Sequence, residues 1–188
     1  MVASILKASP WLAAVLAGSL QIHAIDGTPM RPFEPDGVAN VLLFVATDCP
    51  ISNSYAPEIQ RICSAYESSG IRCALIYEEP GVTPRAVRQH LDEYQYRNIT
   101  AAIDADGALA SRVHASITPE AVVVDRRGAI RYRGRIDNFY AALGRPRQSV
   151  TAHDLRDALG AIAAGRPVAS PETEPVGCYI VPPDVRRQ

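Results

Sequence analysis

Apolar runs separated by polar turns set out the elements of this chain. Residues 40–47 are almost continuously apolar, as expected of an interior parallel strand covered on both faces. Behind them Tyr55, Ile59, Ile62 and Tyr66 recur at helical spacing and make one stripe. Pro57 lies inside that stripe and predicts a kink, and Ser68, Ser69 and Gly70 end the helix. Residues 71–77 form a second strand-like run. A helix between two such strands is a βαβ unit, so the pair is parallel. After a turn, Thr83 reads as the N-cap of a helix opened by Pro84, with Val87, Leu91 and Tyr94 on its apolar face.

Residues 98–103 read as a short extended piece, followed by a turn at 104–107 and a small helix carrying Leu109 and Val113. Residues 121–124 and 129–133 flank the turn Asp125-Arg126-Arg127-Gly128 and predict a β-hairpin. The stretch 134–150 reads as a polar loop, and Thr151 as the N-cap of a last helix with Leu155, Leu159 and Ile162 on one face. Prolines at 167, 171, 175, 182 and 183 make the tail extended rather than helical. The expected organisation is a leader at 1–24, one α/β domain at 25–165 with a mixed central sheet between flanking helices, and a proline-rich tail at 166–188.

Composition narrows the function. The 188 residues carry 19 Lys and Arg against 20 Asp and Glu, with no basic stripe, so nucleic acid is not an expected partner. Lys7, the apolar run from Trp11 to Leu20 and the sequence Ile22-His23-Ala24 have the layout of a secretory signal. The run is too short to span a bilayer comfortably, so no stable membrane span is expected after signal removal, a retained anchor being the alternative reading. A periplasmic or secreted location follows from this reading, and an oxidising compartment permits disulfides among Cys49, Cys63, Cys73 and Cys178. On one straight helix Cys49 and Cys63 would stand on the order of 20 Å apart, beyond disulfide reach. That removes one of the possible pairing schemes and leaves the others open.

Cys49 is the candidate for chemistry. An apolar strand delivers it to the first turn of a helix, where Pro50 suits the first helical position. Unpaired backbone N–H groups there favour a thiolate, while Asp48 opposes it. Each effect is worth about 1 kcal/mol or less, so activation should be moderate. Cys-Pro-Ile-Ser has no second thiol; Ser52 holds its place and could donate a hydrogen bond to the sulfur or simply belong to the helix.

The order βαβ, Thr118-Pro119, hairpin and closing helix resembles the thioredoxin superfamily. Cys49 heading a helix, Pro57 eight residues later, Thr118-Pro119 before a hairpin strand, and Val122-Val123-Val124-Asp125 with Gly128 carry the resemblance. Thr-Asp-Cys-Pro-Ile-Ser-Asn, Gly134-Arg135-Ile136-Asp137 and the terminal Gly-Cys-x-Ile look like its redoxin branch, related to peroxiredoxins and found in exported bacterial proteins. The resemblance implies a thioredoxin-like three-layer fold and thiol–disulfide oxidoreductase activity on protein thiols or disulfides. It also implies a cis-proline loop in which Thr118 and Pro119, with Pro50, face the substrate, and it calls for no cofactor or metal. The electron donor is not specified.

Ala46 and Leu42 stand where the peroxiredoxin signature has threonine and proline. Asn53 stands where copper chaperones of the superfamily have a second cysteine. A thiol peroxidase and a copper- or partner-binding scaffold are the alternative readings. Without a local resolving thiol, Cys178 is the candidate to reach Cys49 if the tail folds back; otherwise it is an unpaired tail thiol or a bridge to another chain. Cys63 and Cys73 flank the turn at Ser69-Gly70, where a structural disulfide or two small buried thiols would both fit.

Overall fold

The apolar runs and the turn residues between them set the order of elements. In the computed structural model, which describes residues 20–181, the chain begins β1 (Ile22–His23), β2 (Pro29–Met30), β3 (Ala39–Val45), α1 (Pro50–Ser54) and α2 (Ala56–Tyr66). There follow β4 (Ile71–Tyr77), α3 (Pro84–Glu93), β5 (Thr100–Ile103), α4 (Ala108–Val113) and β6 (Ile117–Thr118). It ends with β7 (Glu120–Asp125), β8 (Ile130–Gly134), β9 (Tyr140–Ala142), β10 (Arg145–Pro146), α5 (Asp154–Ala163) and β11 (Cys178–Tyr179). Most of the leader read from the sequence lies outside the described residues. Its last residues are packed into the fold: Ile22 and Ala24 are buried.

Five strands form one mixed sheet in the order β5-β4-β3-β7-β8. The pairs β3–β4 and β4–β5 are parallel, while β7 runs antiparallel to both β3 and β8. Every side chain from Val41 to Val45 in β3 is fully buried, which explains the unbroken apolar run. Successive side chains point to opposite faces. Val41, Leu43 and Val45 pack in one cluster with Ile59 and Ile62 of α2 and Leu155 and Leu159 of α5. Leu42 and Phe44 pack in the other with Leu109 and Val113 of α4. Helices therefore cover both faces, and the expected three-layer α/β architecture is present. Burying each of Leu42, Leu43 and Phe44 contributes roughly 1.5–3 kcal/mol.

The stripe from Tyr55 to Tyr66 is interrupted rather than bent. α1 ends at Ser54 and α2 restarts at Ala56 with Pro57 in its first turn. Proline supplies no N–H and its ring excludes the carbonyl four residues back, so the break falls just before it. Cys63 of α2 is joined to Cys73 of β4 by a disulfide, with 5.8 Å between their Cα atoms. The bridge ties the helix to the strand that follows it.

Two local expectations need correction. Thr151 does not cap the last helix, which starts at Asp154 after His153. Asn138 holds Thr151 instead: the Thr151 N–H donates to Asn138 Oδ1 at 2.9 Å, and its hydroxyl accepts from Asn138 Nδ2 at 2.7 Å. The stretch 134–150 is also more than a polar loop. It contains the β9–β10 hairpin and buries Ile136, Asp137 and Asn138.

The tail is extended, as its prolines require, and it is docked. The Arg133 N–H donates to the Pro171 carbonyl at 2.9 Å, and the Thr173 N–H donates to the Arg133 carbonyl at 3.0 Å. The tail thus runs along β8 and covers its edge. Arginines of this region are paired: Arg133 with Glu172, Arg135 with Asp154 and Arg131 with Asp125. Gly134 permits the close approach. Its φ is +144°, and a Cβ there would overlap the Thr173 carbonyl. Gly134→Ala should therefore loosen the tail from β8. Hydrogen exchange should show the Thr173 amide losing protection while amides of β3 keep theirs; equal protection in variant and wild type would contradict this seating.

Candidate functional site

Cys49 occupies the N-cap of α1 with extended backbone, φ −86° and ψ 108°, and Pro50 follows in the first turn. The strand–cysteine–proline–helix order of the sequence produces this placement directly. β3 ends at Val45, and four residues, the last of them Cys49, lead into α1 at Pro50. The sulfur is buried, with Cys49 only 1% exposed. It accepts a hydrogen bond from the Ser52 backbone N–H at 3.4 Å and lies 3.2 Å from the Thr118 carbonyl oxygen. The two neighbours act oppositely on a free thiol at this spot. An N–H favours the thiolate, and a carbonyl favours the protonated form that can donate to it.

Ser52 therefore meets the sulfur through its backbone, not its hydroxyl. The buried hydroxyl accepts from the Ala46 N–H at 3.4 Å, which ties the first turn of α1 to the end of β3. Pro50 is exposed beside the buried Cys49.

The Thr118–Pro119 peptide bond is cis. The buried Glu120 carboxylate clasps the loop from below, accepting from the N–H groups of Ser116 at 2.9 Å and Ile117 at 3.3 Å. Burial holds that carboxyl above the usual carboxylate range. The loop thereby presents the Thr118 carbonyl to the Cys49 sulfur.

Cys178 completes the group. A disulfide joins it to Cys49 with 6.1 Å between Cα atoms, inside the usual span for such a bond. β11 pairs antiparallel with β6, so that Cys178 stands opposite Thr118 and Tyr179 opposite Ile117. The Ile180 N–H extends the pairing by donating to the Ser116 carbonyl at 2.9 Å. Cys49, Ser52, Thr118, Pro119 and Cys178 are thus brought together from stretches far apart in sequence. A cleft of about 520 Å³ opens beside Cys178, lined among others by Thr47, Asp48, Glu79 and Thr118. A larger cavity of about 740 Å³ borders the Cys63–Cys73 bridge and shares none of these residues. The smaller cleft is the one that borders the Cys49–Cys178 bond.

A polar network behind Cys49 has no counterpart in the sequence reading. Asn53 Nδ2 donates to the Thr47 carbonyl at 3.0 Å, and its Oδ1 faces His90 Nε2 at 2.9 Å. That contact makes Nε2 the donor, so Nδ1 accepts from the Tyr77 hydroxyl at 2.9 Å. Glu79 accepts from the Thr47 N–H at 2.8 Å, while its Oε2 is buried without a partner. The segment between β3 and Cys49 is therefore held from both sides. A second buried contact, from the Tyr55 hydroxyl to Asp137 at 2.7 Å, ties the break between the helices to the segment after β8. Helical spacing from Val87 does place His90 on the buried face of α3, and that was the available signal. His114 and His153 are exposed helix-end residues outside the site. Among the described residues, no group of three or more His, Cys, Asp or Glu side chains could hold a metal ion.

Burial holds the His90 imidazole below its ordinary range and the Glu79 carboxyl above its own. The unfolded chain protonates histidine near pH 6.5, ahead of the folded state, so His90 costs stability as pH falls from about 6.5 toward its folded value. Glu79 and Glu120 act in the other direction, because the folded state binds their protons first. His90→Gln should consequently reduce the fall in thermal midpoint between about pH 7 and pH 5. An unchanged slope would contradict the buried neutral imidazole.

No family model and no curated protein matches the chain. Solved structures do. An uncharacterized conserved protein from Geobacillus kaustophilus is similar with a TM-score of 0.76 at 23% identity, over 86% of this chain and 88% of that chain. A secreted Mycobacterium tuberculosis disulfide oxidoreductase homologous to E. coli DsbE is similar with a TM-score of 0.56 at 19% identity, over 76% of this chain and 96% of its own. A thioredoxin-like protein from Aeropyrum pernix gives 0.54 at 20% identity, over 61% of this chain and 80% of its own. At such identities the likeness concerns the fold. With its mixed five-strand sheet between helices, a cysteine at the head of the first helix and a cis proline facing it, the chain has the thioredoxin-like fold.

Proposed function

We propose that this protein is an extracytoplasmic thiol–disulfide oxidoreductase in which Cys49 and Cys178 form the redox pair. The observation that carries the reading is the bond between the two sulfurs beside the cis Thr118–Pro119 loop. Cys178 supplies from the tail the second thiol that Ser52 does not.

In the reduced protein the Cys49 thiolate attacks one sulfur of a partner disulfide. The partner S–S bond breaks, a mixed disulfide forms, and the departing sulfur leaves as a thiolate that takes a proton from water. Cys178, as thiolate, then attacks the Cys49 sulfur. The second partner thiolate departs, and the Cys49–Cys178 bond forms. The partner has gained two electrons and the protein has lost two; a dithiol donor returns the protein to its reduced form by the same exchange. Run backwards, these steps oxidise a partner dithiol. The Ser52 N–H favours Cys49 as a leaving thiolate, and Thr118, Pro119 and Pro50 border the sulfur where a partner segment docks.

Export is supported by the signal-like layout of residues 1–24 and by the pairing of all four cysteines, which suits an oxidising compartment. The secreted disulfide oxidoreductase among the similar structures agrees with it. Among the described residues no helix is long and apolar enough to cross a membrane.

Cys49→Ser should lower dithiol-dependent reduction of a protein disulfide to the uncatalysed background. Cys178→Ser should retain the first attack and accumulate a mixed disulfide with the partner, seen as a mass increase that dithiothreitol removes. Full activity in Cys49→Ser would contradict the assignment.

A further inference from the structure

The tail occupies the very groove in which a partner of Cys49 must lie, and its seating specifies what can take its place. Position by position, 177–180 alternate as a strand does. Gly177 sits so close to β6 that a Cβ would overlap the Thr118 carbonyl oxygen and carbon and lie 3.0 Å from Ile117 Cγ2. Cys178 meets Cys49. Tyr179 points to solvent, 84% exposed. Ile180 turns inward, 8% exposed, within the apolar cluster that includes Leu109, Val113 and Ala115. The pattern is a residue without side chain, a cysteine, an unselected residue and a branched aliphatic one.

We propose that residues 176–180 are a built-in occupant of the partner groove, and that the preferred partner is an extended protein segment of the form Gly-Cys-x-Ile or Gly-Cys-x-Val. Such a segment pairs with β6 in place of the tail, strand for strand. The proposal rests on the oxidoreductase reading given above. The tail can leave this groove without being lost. Its upstream part stays on β8 through the Arg133 and Thr173 hydrogen bonds, and Thr173 Oγ1 also accepts from the Arg135 N–H at 3.2 Å. Cys178 is the fifth residue after Thr173, so its Cα swings within a radius of at most about 18 Å once freed. That tether keeps Cys178 at high effective concentration for the resolving step. While docked, the tail also competes with every partner.

The test uses the reduced full chain carrying Cys178→Ser and hexapeptides activated as mixed disulfides with thionitrobenzoate. Cys49 attacks the peptide sulfur, one S–S bond forms as another breaks, and the released coloured thiolate reports the rate. The Cys49→Ser/Cys178→Ser chain supplies the background from Cys63 and Cys73. The peptide Val-Gly-Cys-Tyr-Ile-Val, matching residues 176–181, should react at least about tenfold faster than its Gly177→Val and Ile180→Asp versions or a scrambled peptide, a difference of about 1.4 kcal/mol. Introducing Gly177→Val into the Cys178→Ser chain should speed all the peptides by unseating the tail. Equal rates for all peptides, with Cys49 clearly reactive, would overturn the groove specificity and leave the oxidoreductase reading standing. No rate change from Gly177→Val in the chain would overturn the built-in occupancy. A wild-type protein linked as a Cys49–Cys178 dimer would assign the groove to a second copy's tail and likewise overturn it. A Cys49 no more reactive than background toward any peptide would overturn both readings.

Discussion

The approach of the Thr118 carbonyl to the Cys49 sulfur, 3.2 Å apart, is the contact on which the arrangement of this site depends. It brings together the end of β3 and the start of β7, which are neighbours in the sheet but far apart along the chain. Each partner is fixed from its own side. β3 is fully buried, α1 begins at its end, and the Ser52 hydroxyl ties that turn back to Ala46. The cis loop is held by Glu120, whose carboxylate gathers two backbone N–H groups in a buried place. A buried carboxylate clasping donors in this way is costly to break, because the donors would be left without partners. The clasp thereby fixes the backbone of 116–117 next to the cis bond and the sulfur.

Against that backbone the tail makes a strand. β6, which leads into the cis loop, would be a two-residue edge beside the Cys49 sulfur if the tail were absent, and an exposed edge invites another strand. Here the protein supplies its own. Gly134 and Gly177 are the two positions where the tail comes too close for a side chain, at the β8 edge and at the cis loop. The same strand brings Cys178 opposite Thr118, where its sulfur can bond to Cys49. Pairing geometry and disulfide chemistry are satisfied by one register.

Much of this was readable in advance because it depends on local pattern. The continuous apolar run of β3, Thr83 and Pro84 at the start of α3, and the hairpin around Gly128 follow from burial and turn chemistry of neighbouring residues. The place of Cys49 at a helix head follows from the strand, Pro50 and the stripe behind it. Other parts depend on contacts across the fold and left little local trace. Asn53 and His90 meet over thirty-seven residues, and Glu79 reaches Thr47 over thirty-two. The N-cap position of α5 falls at His153 rather than Thr151 because Asn138, thirteen residues before Thr151, takes that side chain for itself. Ser52 was open to two readings, a hydroxyl donor to the sulfur or a plain helix residue, and the turn geometry directs its backbone N–H to the sulfur instead. The tail's prolines foretold an extended chain but not the edge on which it would lie.

The central claim is that the tail thiol completes the site begun at Cys49. Mass-spectrometric disulfide mapping of the full-length chain produced with residues 1–24 in place, digested without reduction, tests it most directly. The account predicts a peptide pair linking Cys49 to Cys178 within one chain and another linking Cys63 to Cys73. Recovery of Cys178 as a free thiol while Cys49 is oxidised, or of Cys49 joined to Cys63 or Cys73, would contradict it.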